Sequence, residues 1–374
     1  MSLRVLIVPD KFKGTLTARA AAESIAAGWM KARPSDDLEM LPMSDGGDGF
    51  GAIMADMMGA EERELETVDA AHRPLKARWW FDPASGRAII ESAAIVGLAL
   101  LPPGRFHPYE LDTQGLAAAI RAAWAAGATE ILMGIGGSAT NDAGFGLARG
   151  LGWEFLESTE RPIEKWIQLD RLHHWFAPQD NPDIPVTVAV DVENPLLGAQ
   201  GCSRIYGPQK GLRAEQAPLA EAALGRLAAV AASDRGADHS SEPGAGAAGG
   251  LGFGLRTFLG ARLESGFGIY SRQANLEERI ASADLVITGE GAIDRQTYMG
   301  KGTGQVAQVC QRLGVRCIGL AGMTEGLLIG TANTRLFHLV AGITPTLTHP
   351  AEAKAKPDIW LTRLAEKIGA AYLG

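Results

Sequence analysis

Ile131-Leu132-Met133-Gly134-Ile135-Gly136-Gly137-Ser138-Ala139-Thr140-Asn141-Asp142 carries an apolar run straight into a bare polar loop, and Gly144 and Gly146 follow it. The run reads as a buried strand, the loop as a turn at its carboxyl end, and the next residues as a helix start. Glycines let backbone N–H groups approach an anion, and a helix N-terminus adds roughly half a positive charge. Ser, Thr, Asn and Asp supply hydroxyl, amide and carboxylate at the same spot. The spacing lacks the Gly-Lys-Ser/Thr end of a P-loop and the Gly-x-Gly-x-x-Gly dinucleotide pattern. A tight turn with no ligand is the other reading of such a loop taken alone.

The same rhythm recurs on either side. Residues 3–8 are a continuous apolar run, and 17–32 form an Ala-rich helical stretch with Thr17 as its N-cap; a loop with Asp10, Lys11, Lys13 and Gly14 joins them. Near the end, 285–287 leads into Thr288-Gly289-Glu290-Gly291, 315–320 into Ala321-Gly322, and 336–340 into Ala341-Gly342. Strands alternating with helices predict a parallel sheet, with ligands beyond the carboxyl ends of its strands. Between these segments, 65–68, 76–81 and 87–90 read as short strands separated by turns, which suggests a mixed-sheet α/β domain inserted into the first. Helices are expected over 50–58, 117–126 and 217–232 and a strand over 186–190, while the Gly-rich tract 233–254 reads either as a linker or, since Phe253, Leu255 and Phe258 continue an apolar pattern, as a close-packed helix entry near a ligand.

A chain of 374 residues, 46% hydrophobic, has material for two cores. Its net charge of −8 comes without a basic run, which argues against nucleic acid and anionic membranes and leaves any anionic ligand to be held locally. Cys202, Cys310 and Cys317 are odd in number and scattered, so neither a disulfide framework nor a zinc site is expected. No signal-peptide core or membrane-length apolar run is present, which points to the cytoplasm. Oligomeric state is not legible.

Several loops carry candidate chemistry. In Ser44-Asp45-Gly46-Gly47-Asp48-Gly49, Asp45 or Asp48 reads as a contact to a ligand hydroxyl or Mg²⁺, or as a helix cap with turn glycines. Asp191, directly after the 186–190 strand, is placed to accept a hydroxyl proton or bind a metal, although Asn194-Pro195 makes an Asx-turn an alternative. Lys210, in Gly207-Pro208-Gln209-Lys210-Gly211, reads as a point charge for phosphate or as an exposed turn lysine. Gly289-Glu290-Gly291-Ala292-Ile293-Asp294 with Lys301 offers amides, two acids and a cation, the set a magnesium nucleotide needs. No Gly-x-Ser-x-Gly elbow or Cys/His pair appears, and the seven histidines read as structural or solvated.

Together with Pro9-Asp10-Lys11-Phe12-Lys13-Gly14, Ile90-Glu91-Ser92-Ala93 and the Gly244–Gly250 glycines, these motifs resemble, in order and over nearly the whole chain, the bacterial glycerate kinases of the two-domain, non-ribokinase type. The resemblance implies a Rossmann-like parallel-sheet domain (1–62 and 270–374), an inserted α/β domain (63–269), and an active site in the cleft between them. It implies ATP- and Mg²⁺-dependent phosphorylation of D-glycerate, giving 2-phosphoglycerate. By resemblance Asp191, Lys13 and Asn141 are catalytic, with Asp191 as base. Asp10, Asp45, Gly137, Ser138 and Lys210 contact substrate; Gly289, Glu290, Asp294, Lys301, Gly249 and Gly250 bind the nucleotide; and Asp294 and Glu290 hold the metal. Lys11, Phe50 and Ala292 depart from the family's usual residues. Another short sugar acid, such as tartronate or erythronate, is the alternative acceptor, and a silent metabolite-binding protein on this fold is the alternative of a different class.

Overall fold

The computed structural model describes residues 2–180, 183–298, 300, 302–324 and 336–372. The chain opens with β1 (Arg4–Pro9), α1 (Ala18–Ala32) and β2 (Asp37–Met40). It continues through α2 (Phe50–Met58), β3 (Glu61–Val68), β4 (Pro74–Asp82), β5 (Arg87–Glu91), α3 (Ala93–Val96), α4 (Leu116–Ala125), β6 (Glu130–Gly134) and α5 (Phe145–Leu151). A hairpin of β7 (Glu154–Glu157) and β8 (Leu172–Phe176) precedes β9 (Val186–Val190), α6 (Cys202–Ile205), α7 (Ala217–Arg235), α8 (Ala247–Leu259) and β10 (Arg262–Ser265). The last stretch holds α9 (Gly266–Gln273), α10 (Leu276–Ser282), β11 (Leu285–Ile293), α11 (Arg295–Tyr298), α12 (Gly302–Leu313), β12 (Arg316–Thr324), β13 (Leu339–Thr344), α13 (Pro350–Ala355) and α14 (Pro357–Ala371). None of the described helices is long and apolar enough to cross a membrane.

Two compact units result: Met1–Asp45 with Phe267–Gly374, and the inserted Gly46–Gly266. The first holds an all-parallel sheet in the order β13-β12-β11-β1-β2. Val5, Ile7, Leu285, Ile287, Ile318 and Leu320 pack with Ile25 and Trp29 of α1 and with Leu361 and Leu364 of α14 in one core. Such strands, covered on both faces, must read as unbroken apolar runs. Thr17 caps α1 as expected, accepting from the Ala20 N–H at 3.2 Å. Strand order reverses between β1 and β11, so the carboxyl ends of these two strands form the sheet's switch point. Glu290, expected in a loop, lies within β11, because Gly289, Glu290 and Ala292 continue the ladder opposite Leu320, Ala321 and Met323 of β12.

The inserted unit has a six-stranded mixed sheet, β10-β9-β6-β5-β4-β3, in which β3–β4 and β4–β5 pair antiparallel and the rest parallel. Its own core joins Ile90, Ile131, Met133 and Val188 to Phe145, Phe253 and Leu224. The units part after Asp45 rather than at 62–63. Helix α2 packs on β4, β5 and β6: Phe50 is fully buried against Gly134, and Gly51 lies so close to Trp80 that a Cβ would come within 2.3 Å of its ring. On the far side the break comes after Gly266 rather than 269. The β7–β8 hairpin had no expected counterpart; its four- and five-residue strands are too short for alternation to stand out.

Candidate active site

At the switch point of the first unit, the Asp10 N–H donates to the Gly289 carbonyl at 2.8 Å and the Asp10 carboxylate accepts from the Lys11 N–H at 2.7 Å. Burial, the neighbouring Asp45 carboxylate and, to a lesser degree, Glu290 push the Asp10 carboxyl up to about 7, against the lowering pull of Lys11. Glu290 is buried and accepts from Thr297 Oγ1 at 2.8 Å, while Asp294 Oδ1 accepts from the Thr297 N–H at 3.4 Å, so both acids gather around one threonine. The chain at Lys13 runs close beside Gly291, where a Cβ would lie 3.2 Å from the Lys13 nitrogen; the Lys13 side chain is exposed. Gly289 admits no side chain, since its Cβ would stand 2.3 Å from the Leu320 carbonyl. Lys301 lies outside the described residues.

In the inserted unit, two glycine loops interlock at the carboxyl ends of β5, β6 and β9. The Gly136 N–H donates to the Gly46 carbonyl at 3.1 Å, and a Cβ on Gly136 would meet Gly47 Cα at 2.6 Å. Gly137, at φ 79°, faces Asp48: its Cβ would lie 1.8 Å from Asp48 Oδ1. Buried Glu91, at the end of β5, fixes the first loop by accepting from the Gly49 N–H at 2.8 Å on one oxygen and from the Gly51 N–H at 3.0 Å on the other. Asp191 is exposed one residue past β9, and with burial its charge pushes the Tyr206 phenol up to about 12.

Behind Gly137 the loop turns inward. Ser138 Oγ pairs with Thr140 Oγ1 at 2.9 Å and accepts from the Thr140 N–H at 3.0 Å. Asn141 is fully buried; its Nδ2 donates to Ser203 Oγ at 2.8 Å, and its Oδ1 is sealed without a partner among the described residues. Asp142 accepts on one oxygen from Thr113 N, Thr113 Oγ1 and Gly146 N, while burial and then Asp112 raise it to about 6. Lys210 is only 6% exposed, and its Nζ donates to the Thr140 carbonyl at 2.6 Å. Gly249, at φ 74°, presses on the other side, where a Cβ would sit 2.0 Å from the same carbonyl. Gly250 is wedged against Leu196 and Ala143.

This arrangement matches known proteins along its whole length. The sequence model of the glycerate kinase family covers residues 5–373. The chain belongs to that family. It is 34% identical over 360 residues to the glycerate kinase of Bacillus subtilis (strain 168), covering 94% of each chain. It is 37% identical over 325 residues to the glycerate 2-kinase of Escherichia coli (strain K12), covering 86% of this chain and 85% of that one. A crystal structure described as a glycerate kinase 2 of Salmonella typhimurium LT2 superposes with a TM-score of 0.82 at 32% identity, over 99% of this chain and 98% of that one. The fold expected from the resemblance, a Rossmann-like parallel-sheet domain with an inserted mixed-sheet α/β domain, is therefore the family's fold.

Within this glycerate kinase fold the candidate residues fall into two separate sets. Asp10, Asp45, Glu290 and Asp294 gather at the switch point of one sheet; Gly137, Ser138, Asn141, Lys210, Gly249 and Gly250 gather around one loop of the other. Asn141 and Lys210 are interior groups that brace that loop, so Lys210 is not the exposed turn lysine that its Gly-Pro-Gln-Lys-Gly setting suggests. Gly249 and Gly250 pack on Thr140 and Ala143. Glu91, Thr113 and Ser203 were not singled out as functional. Glu91 lies in the Ile90–Ala93 motif, but only the fold shows these three residues bonded to the loops.

Proposed function

We propose that this chain phosphorylates D-glycerate with Mg-ATP, forming 2-phosphoglycerate. The observation that carries the reading is an exposed Gly137 against the exposed Asp48, with the exposed Asp191 at the end of the parallel strand β9, in a chain that matches the glycerate kinase family over residues 5–373. The amides of Gly137 and Ser138 hold the acceptor's anionic end. Asp191 takes the proton of the reacting hydroxyl, whose oxygen bonds to the γ-phosphorus as the bond to ADP breaks.

Among the described residues no group of three His, Cys, Asp or Glu side chains forms a metal cage. Mg²⁺ keeps most of its waters and takes one or two carboxylates plus phosphate oxygens, and the paired acids Glu290 and Asp294, with Asp10 crowded close by, fit that demand. When bound, the ion neutralises phosphate charge. The crowding that raises Asp10 supports a cation there, since like charges held together favour one. Lys13 and Lys301 offset further phosphate charge.

The test is ADP release by the purified chain with Mg-ATP and D-glycerate, followed by phosphorus NMR. A doublet from coupling to one CH proton supports the 2-phosphate. A triplet moves the reaction to the 3-hydroxyl, and no turnover with glycerate while another sugar acid reacts reassigns the acceptor.

A further inference from the structure

We propose that Asp48 selects the acceptor, its carboxylate accepting a hydrogen bond from the hydroxyl that is not phosphorylated. This rests on the reading of the chain as a glycerate kinase and names what that site demands: a short carboxylic acid with two hydroxyl groups. The Ser44–Gly49 run offers two carboxylates three residues apart, and the fold sends them to different places. Asp45 belongs to the first unit, within electrostatic reach of Asp10; Asp48 belongs to the inserted unit. Asp48 is exposed, and Oδ1 occupies the space where a side chain on Gly137 would go.

An ionised carboxylate only accepts hydrogen bonds, and it repels a carboxylate or phosphate. Standing at a loop built to hold an anion, it is matched by the part of the acceptor that is neither: a hydroxyl. Glu91 makes this a fixed feature. Its two oxygens take the N–H groups of Gly49 and Gly51, one and three residues after Asp48, and the Gly136–Gly46 bond locks that loop to the Gly137 turn. Glu91 is thus a positioning residue for Asp48. An acceptor with that hydroxyl gains a charge-assisted hydrogen bond that the analogue without it does not make.

The experiment compares D-glycerate with D-lactate and 3-hydroxypropionate, each lacking one hydroxyl, in wild-type, Asp48→Asn and Glu91→Gln full-length chains with saturating Mg-ATP. Wild type should prefer glycerate to the analogue that keeps the reacting hydroxyl by roughly 10- to 100-fold in kcat/KM. Asp48→Asn should shrink that preference by roughly tenfold at an unchanged melting temperature. Glu91→Gln should raise KM for glycerate and shrink the preference in part while leaving KM for ATP unmoved, a pattern that general destabilisation would not give. An unchanged preference in Asp48→Asn overturns the proposal, as does a raised Mg²⁺ requirement with preference intact. If wild type turns over no hydroxy acid, the kinase reading fails, and calorimetry then decides Asp48 separately. Weaker glycerate binding in Asp48→Asn supports the assignment; equal binding, or none by wild type, overturns it.

Discussion

The Lys210 ammonium donates to the Thr140 carbonyl from inside the inserted unit, and burial lowers it from 10.5 to about 8. Below pH 8 the lysine is charged in both the folded and the unfolded chain, so the folded state bears the whole desolvation penalty. Above 10.5 it is neutral in both and the penalty is gone. Between these values the unfolded chain binds more protons, so stability rises with pH, by up to about 3 kcal/mol for a shift of this size. Lys210→Met should therefore show a flatter urea midpoint between pH 8 and 10 than wild type; parallel curves would mean that the lysine titrates alike in the folded and unfolded chains, so that burial does not lower it. Asp191 stands differently, exposed past β9, so its replacement leaves the core intact. Asp191→Asn should cut kcat by roughly 10²–10⁴ with glycerate binding retained, measured by ADP release and calorimetry. Near-wild-type turnover would remove Asp191 as the base. None of this burial was legible in Gly-Pro-Gln-Lys-Gly or Gly-Gly-Ser-Ala-Thr-Asn-Asp, because neither names the residues that close over it.

Helices α1 and α14 meet at Gly28, where a Cβ would stand 2.1 Å from the Thr362 carbonyl and 2.9 Å from Ala365 Cβ. Thr362 Oγ1 donates to the Ser24 carbonyl at 3.1 Å one turn away, and Trp29 beside it is fully buried. Two effects oppose each other in Gly28→Ala. Helix propensity favours alanine by about 1 kcal/mol, whereas overpacking against a backbone carbonyl costs about 1–3 kcal/mol. A contact of 2.1 Å cannot be relieved by a side-chain rotation, so the penalty wins and the urea midpoint should fall; an unchanged or higher midpoint would show that the helices separate freely. Element positions were largely legible. The 50–58 helix and the 186–190 strand lie where the apolar pattern puts them, because that pattern is local. Strand β13 begins at Leu339 rather than 336, and β12 runs through Ala321-Gly322, because ladder pairing rather than composition ends a strand.

Across the molecule, the alternation of apolar runs and helical stretches determined two α/β units, and the order of the glycine-rich motifs determined the family. Those are properties of the chain read in one direction: periodicity sets element type, and turn chemistry sets where elements end. The boundary was a matter for tertiary structure, since α2 joins the inserted unit only because Phe50 and Gly51 fit against Gly134 and Trp80. So was the division of the candidate residues. Asp45 and Asp48 are three apart in sequence, yet one raises Asp10 and the other meets Gly137. Thr140 lies 70 positions before the lysine that holds its carbonyl, and Glu91 lies 40 and 42 positions after the amides it clamps. The sequence by itself determined which loops carry chemistry, because glycines and polar groups at strand ends are local signals. Only the tertiary structure decided which of those groups face solvent and which brace the loops from within, because burial and hydrogen-bond partners come from residues far away along the chain.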